Sequence, residues 1–281
     1  MSIYISADST CDLSEELLAQ YNIGITPLYI VMGDKTYKDG VDCNSTQIYR
    51  YVDEHGVLCT TAAVNIGDYL DWFEAKLQDH EAVVHFTISS DMSSCYQNAC
   101  TAAAEFPGKV FVVDARNLST GIGHLAVAAA ELANAGKSAP EIHRILTERT
   151  EKLNVSFVID TLEYLYKGGR CSALSMLGAN LLSLKPCIEV REGKMGVGKK
   201  YRGTLKKCIL AYIQDKLEEL DTIEPHRIFV THSDTDFEIV AAAVEYIQSL
   251  QYFDEILETH AGSTIANHCG PNCLGVLFFN K

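Results

Sequence analysis

The stretch HFTISSDMSSCYQNA, residues 85–99, puts four serines within six positions directly after an apolar run. Hydroxyls at such a place can serve three kinds of chemistry. The plainest is capping of the helix that follows, a role Ser and Thr favour. A second is nucleophilic attack, which needs an acid and a base to activate the hydroxyl. A third is anion binding, in which hydroxyls join the free N–H groups at a helix start. One cap needs one hydroxyl, so four around a single turn favour an anion cradle over capping alone. The nucleophile reading finds no GxSxG and no recognisable acid and base partners in order. Two further polar turns follow apolar runs in the same way. ISADST sets Asp8, Ser9 and Thr10 after the first run, and VVDARNLSTGIG sets Asp114, Ser119 and Thr120 after another.

Such turns require strands to end on and helices to begin. Runs of strand length fall at Ile3–Ala7, Ile25–Val31, Ala82–Ile88, Val110–Val113, Ser156–Ile159, Pro186–Val190, Arg227–Thr231 and Cys273–Phe279, with stretches of helical period between them. Several runs are apolar throughout, which suits a sheet covered on both faces. Strand and helix in alternation mean α/β, and in such folds ligands bind at the carboxyl ends of strands. The alternation breaks near Gly136–Ser138, where two helical stretches adjoin. We place a domain boundary near residue 155, giving an N-terminal α/β domain over 1–155 and a C-terminal α/β domain over 156–281. VREGKMGVG reads as a hairpin with Gly193 in its turn.

Composition bounds the rest. The 281 residues are 47% hydrophobic and 21% charged, as a folded globular protein requires, and the net charge is −14. That balance disfavours nucleic acid as a partner, because phosphate binding needs Lys and Arg. The start MSIYISADST does not read as a secretory signal, and no run approaches the ~18 apolar residues a membrane span needs. The ten cysteines include no CxxC pair. They read as reduced small hydrophobes in a cytoplasmic protein, without a structural zinc site.

Several segments together resemble the DegV family: ADSTCDLS, CTTAAVN, SSDMSSCYQNA, VVDARNLSTGIG, TLEYLYKGGRCSALSMLGANLLSLKPCIEV, KKYRGTLKK and HAGSTIANHCGPNCLGV, in family order from end to end. The resemblance implies two α/β domains, an N-terminal Rossmann-like parallel sheet and a C-terminal mixed-sheet domain, with a lipid tunnel between them. It implies a carrier, not an enzyme, that binds a long-chain fatty acid such as palmitate, stearate or oleate and needs no cofactor or metal. It further implies presentation of the carboxylate to a fatty acid kinase, whose acyl phosphate feeds phospholipid synthesis.

The family's carboxylate ligands map to Thr61 and Ser93, with the Ser94 N–H completing the cradle; His268 and Arg170 map to the family's C-terminal histidine and Gly-Gly-Arg turn. Two departures bear on the cradle. Thr61-Ala62-Ala63-Val64-Asn65 replaces Thr-Ser-x-Pro-Ser, and Ser94 stands for a glycine. Asn272 replaces a further glycine. The ordinary roles are that Arg170 caps a helix C-terminus and His268 is a core residue. KKYRGTLKK holds five basic residues in nine, and Arg202 within it is a candidate docking residue for an acidic partner or a transient membrane contact. LSMLGANLL and LGVLFF could line a tunnel or simply be core. Two other functions compete: a hydrolase using Ser93 or Cys95, and a dihydroxyacetone-type binding subunit.

Overall fold

The computed structural model describes residues 2–171 and 184–281. The chain forms two compact units, one of Met1–Asn44 and Cys59–Glu151, the other of Ser45–Leu58 and Lys152–Lys281. The division differs from the expected 1–155 and 156–281 chiefly in Ser45–Leu58, which clusters with the second unit.

Strands and helices are numbered along the chain. In the first unit β1 (Ile3–Asp8), β2 (Ile23–Thr26), β6 (Ala82–Thr87) and β7 (Val110–Asp114) form a sheet in the order β2-β1-β6-β7. Every pairing is parallel. All six residues of β6 are buried, as expected of a central strand covered on both faces. A small antiparallel sheet, β4-β3-β5, is made by β3 (Tyr29–Met32), β4 (Lys35–Lys38) and β5 (Thr60–Ala62). The expected single strand over Ile25–Val31 is thus two strands, broken at Pro27, which has no N–H to give a ladder.

The helices of this unit are α1 (Glu15–Tyr21), α3 (Ile66–Leu77), α4 (Cys95–Ala103), α5 (Thr120–Asn134) and α6 (Ala139–Arg149). In α5 every residue from Thr120 to Ala130 is buried. Its small residues permit this: a Cβ at Gly123 would stand 2.9 Å from the Cys11 carbonyl oxygen.

The second unit contains α2 (Ser45–His55), β8 (Leu153–Val158), α7 (Glu163–Gly168), β9 (Leu184–Arg191), β10 (Lys194–Arg202), α8 (Leu205–Lys216), β11 (Ile223–Ser233), α9 (Phe237–Ser249), β12 (Glu255–His260), α10 (Ser263–Cys269) and β13 (Cys273–Asn280). Its sheet runs β10-β9-β8-β13-β11-β12. Only β11 and β12 pair in parallel; the other neighbours are antiparallel. The β9–β10 hairpin turns at Glu192 and Gly193, with φ of 50° and 82°, the left-handed pair that a tight two-residue hairpin demands.

The core of this unit packs Ile209, Tyr212 and Ile213 of α8 and Val240 and Ile247 of α9 onto Ile228, Val230, Val276 and Phe278 of the sheet. Tyr212 is fully buried yet satisfied: its hydroxyl donates to the Ser156 carbonyl at 2.6 Å and accepts the Val276 N–H at 3.0 Å. α2 joins this unit because it packs on α10 with Ile48 fully buried. Tyr49 of α2 is hydrogen-bonded to the Ser233 hydroxyl at 2.5 Å and meets Tyr164 edge-on.

Candidate functional site

The serine turn lies where the sheet of the first unit ends. β6 stops at Thr87, and the Ser89 N–H donates to the Asn117 carbonyl at 2.9 Å, fixing the chain against the loop after β7. The Ser89 carbonyl then accepts from Met92 at 2.9 Å and Ser93 at 3.1 Å, which closes the turn. α4 starts after Ser94. The Ser93 hydroxyl oxygen accepts the Cys95 N–H at 3.3 Å and contacts the Cys95 sulfur at 3.3 Å. Ser94 is exposed, its side chain makes no cap, and its N–H donates no hydrogen bond within the described protein. Its φ of −80° is ordinary for any residue, so serine in place of the family's glycine introduces no strain there.

Thr61 is half-buried on β5, opposite Ile30 of β3. The loop behind it is held to α4 by the Asn98 amide, which donates to the Val64 carbonyl at 2.8 Å. Asn65 ends the loop as the N-cap of α3, accepting the Asp68 N–H at 3.0 Å, and its amide donates to the Asp68 carboxylate at 2.7 Å. The departure at Asn65 therefore has a structural use.

The other polar turns are consumed internally. Ser9 donates to Asp39 at 2.8 Å and accepts the Leu28 N–H at 3.0 Å. Asp114 accepts the N–H groups of Ser90 at 3.2 Å and Arg116 at 2.9 Å. Ser119 donates to Asp12 at 2.5 Å, and both residues have positive φ. Ser119, at φ 53° and ψ −145°, is in a region nearly reserved for glycine and costs about 1–3 kcal/mol that the buried surroundings must hold.

Asp8 is the most unusual acid in this unit. It is fully buried, its Oδ1 accepts the Thr10 N–H at 3.1 Å and the Thr10 hydroxyl, and its Oδ2 accepts the Ile88 N–H at 2.7 Å. Burial outweighs these bonds and pushes its pKa up to about 6. The sequence showed Asp8 only as part of a polar turn; the link to Ile88, 80 residues away, is a product of the parallel sheet.

In the second unit the Gly-Gly-Arg turn meets the C-terminal histidine. A Cβ on Gly168 would collide with Nδ1 of His268, so only glycine lets the end of α7 lie against that ring. Gly169 follows with φ 68° as the helix C-cap. Arg170 is exposed and its guanidinium donates to the Gly168 carbonyl at 2.8 Å, the capping contact of a helix C-terminus. Burial, followed by the charge of Arg170, lowers the His268 pKa to about 4, so the ring is neutral near pH 7. A Cβ on Gly270 would stand 2.7 Å from the Tyr164 ring, a second close approach on α7. Asn272 takes φ 59°, the left-handed conformation that asparagine tolerates in place of glycine.

Arg202 closes β10, exposed. Within KKYRGTLKK, Lys199 pairs with Asp215 at 2.6 Å. Lys200, Arg202, Lys206 and Lys207 are exposed and have no carboxylate partner among the described residues.

A cavity of about 390 Å³ in the first unit is lined by Tyr29, Val64 and Trp72 together with Lys38, Asp68 and Lys76. LSMLGANLL lies outside the described residues. The LGVLFF residues are buried in β13 as sheet core. Among the described residues no group of three or more His, Cys, Asp or Glu is placed to hold a metal ion, and no helix is long and apolar enough to cross a membrane. All ten cysteines are free.

A parallel-sheet unit and a mixed-sheet unit, each flanked by helices, define a two-unit α/β protein. The family model described as "Uncharacterised protein, DegV family" matches residues 2–281, and the chain belongs to that family. A DegV domain-containing protein of Clostridium acetobutylicum is 30% identical over 282 residues, 99% of each chain. A fatty acid-binding protein of Thermotoga maritima is 29% identical, over 98% of this chain and 96% of its own. The solved structure of a fatty acid-binding DegV family protein from Thermus thermophilus superimposes with a TM-score of 0.91 at 29% identity, covering 100% of both chains.

Proposed function

We propose that this protein is a cytoplasmic fatty acid carrier with no turnover of its own, and that it receives the ligand's carboxylate on Thr61, Ser93 and the Ser94 N–H. The observation that carries the reading is the start of α4, where that N–H is unspent beside a hydroxyl already oriented by the helix. Two hydroxyls and one amide suit a carboxylate, since each charge-assisted bond contributes about 1.5–3 kcal/mol. The tail supplies most of the affinity: at roughly 0.8 kcal/mol per CH₂, about 16 carbons gain on the order of 10 kcal/mol before ordering costs. The names of the Thermotoga and Thermus relatives support a fatty acid as the ligand class. For Arg170 and His268 a role toward the head group rests on the family resemblance.

Hydrolysis is the poorer reading. The Ser93 hydroxyl is bonded to Cys95, and among the described residues it has no hydrogen bond to a histidine. The Cys95 thiol is pushed up to about 12 by burial and by the Asp8 charge, which leaves almost no thiolate at neutral pH.

We further infer that the carrier presents its ligand's carboxylate to a fatty acid kinase, with Arg202 on the docking surface. Support comes from Lys200, Arg202, Lys206 and Lys207, exposed and without a carboxylate partner among the described residues, on a chain of net charge −14.

Native mass spectrometry of the purified protein tests the carrier reading first. One long-chain fatty acid per chain is the expected result; an empty protein that also fails to take up palmitate or oleate overturns it. The head-group assignment is tested by Ser93→Ala and Thr61→Ala. Each should weaken oleate binding by about 10- to 100-fold, the equivalent of one charge-assisted bond, with an unchanged melting profile. Unchanged affinity in the double variant removes both residues from the site.

A further inference from the structure

Asp8 ends the inner strand β1 without a cation. No Lys, Arg or His bonds to it among the described residues, and its partners are the Thr10 N–H, the Thr10 hydroxyl and the Ile88 N–H. Its titratable neighbours include Asp39 after β4, Cys11 after β1, Tyr69 on α3 and Cys95 at the start of α4. None of these brings a positive charge. The imidazole of the adjacent strand, His85, is turned to the Ser6 hydroxyl at 2.8 Å and is kept neutral by burial.

Two contacts connect Asp8 to the serine turn. Through Ile88 it holds the last amide before Ser89. One residue further on, the Ser89 carbonyl accepts the Ser93 N–H at 3.1 Å, so a single backbone turn joins the amide held by Asp8 to Ser93. An anion received at Ser93 would add a second negative charge near a fully buried carboxylate that has hydrogen-bond donors but no cation. Like charges in such a place raise each other's proton affinity.

We propose that the carboxylate site is proton-coupled through Asp8: when an anionic head group settles at Ser93, the Asp8 carboxylate takes up a proton from solvent, so that anion and proton are bound together. The inference rests on the fatty acid reading of the site. The proton adds to one carboxylate oxygen of Asp8 and no other covalent bond changes. Thr10 is placed to accommodate it, since its hydroxyl donates to Oδ1 in the ionised state and can turn to accept from the protonated oxygen. The empty site is half-protonated near pH 6 and the occupied site at a higher pH. Coupling is therefore expressed between those two midpoints, and the affinity falls as pH rises through them.

The experiment is calorimetric titration of delipidated protein with monomeric oleate at pH 7 and pH 9, in two buffers of different ionisation heat. A carboxylate of ordinary pKa is ionised throughout that range. Wild type should take up a measurable fraction of a proton per oleate at pH 7. Its affinity should fall toward pH 9, by up to about tenfold for each unit by which the ligand raises the Asp8 midpoint. Asp8→Asn should show neither effect. Infrared difference spectra of wild type, with oleate labelled at its carboxyl carbon to separate the ligand's band, should show a protonated aspartic acid appearing on binding. Oleate bound with the same proton uptake in wild type and Asp8→Asn, or no such infrared band, overturns the proposal and leaves the carrier reading standing. No oleate bound at either pH overturns the carrier reading and this inference with it.

Discussion

Two adjacent glycines in the second unit are required for different reasons. Gly168 has no unusual backbone; it is glycine because the His268 ring occupies the space of its Cβ. Gly169 has open space around it and is glycine because its φ is 68°. Gly168→Ala should cost about 1–3 kcal/mol through overpacking, read as a lower midpoint in urea, and should move the histidine's titration away from about 4 in NMR. Gly169→Ala should cost about 1–2 kcal/mol through its left-handed backbone and leave that titration in place. The Lys-Gly-Gly-Arg turn was legible in the sequence as a turn. Its contact with His268 was not, because glycine spacing reports backbone freedom and says nothing of which side chain, 100 residues on, fills the missing Cβ. The turn that carries Ser93 and Ser94 was legible because a surplus of hydroxyls at a strand's end is itself a signal. Asp8 was half-legible: its place after β1 was visible, its bond across to Ile88 was not.

Elements with strong local signals appear where the sequence puts them. β6 is buried throughout, β13 is apolar from Cys273 to Phe279, and α6 opens on Ser138, Pro140 and Glu141. The Glu141 carboxylate accepts the Ser138 N–H at 2.9 Å and the Ser138 hydroxyl at 2.7 Å, and these bonds hold its pKa down to about 2. A lowered pKa means the box is complete above the ordinary carboxylate range and is lost only as pH falls through about 2. Ser138→Ala should therefore destabilise the first unit by about 1 kcal/mol at pH 7, measured by thermal melting. Weak signals were missed. β4 reads KTYK, three of its four residues exposed, and β5 has three residues, so neither presents an apolar run. They become strands by pairing with the two edges of β3, a tertiary effect that local propensity does not contain.

For the molecule as a whole, the contrast of charge matters more than its total. A net charge of −14 repels acidic partners in general, while the exposed cations around Arg202 offer one place to meet them. If that surface docks a kinase, Arg202→Glu should weaken the complex and flatten its dependence on salt, while leaving oleate affinity unchanged. Pull-down and acyl phosphate assays over a range of ionic strength would show it; equal complex formation by the variant removes Arg202 from the interface. The two-unit architecture was legible from strand–helix alternation. The allegiance of residues 45–58 was not, because their amphipathic pattern fits any apolar groove, and only the packing of Ile48 and Tyr49 with α10, Ser233 and Tyr164 decides which.

That allegiance makes the backbone pass from one unit to the other three times, after Asn44, Leu58 and Glu151. A protease nick between Glu151 and Lys152 would leave the fragments held together, with α2 still seated in the second unit as a bolt carried by the first. The same threading limits how such a protein can be shuffled in evolution. A gene segment for residues 152–281 moved elsewhere would arrive without α2, so the second unit is inherited together with the first or with a gap against α10.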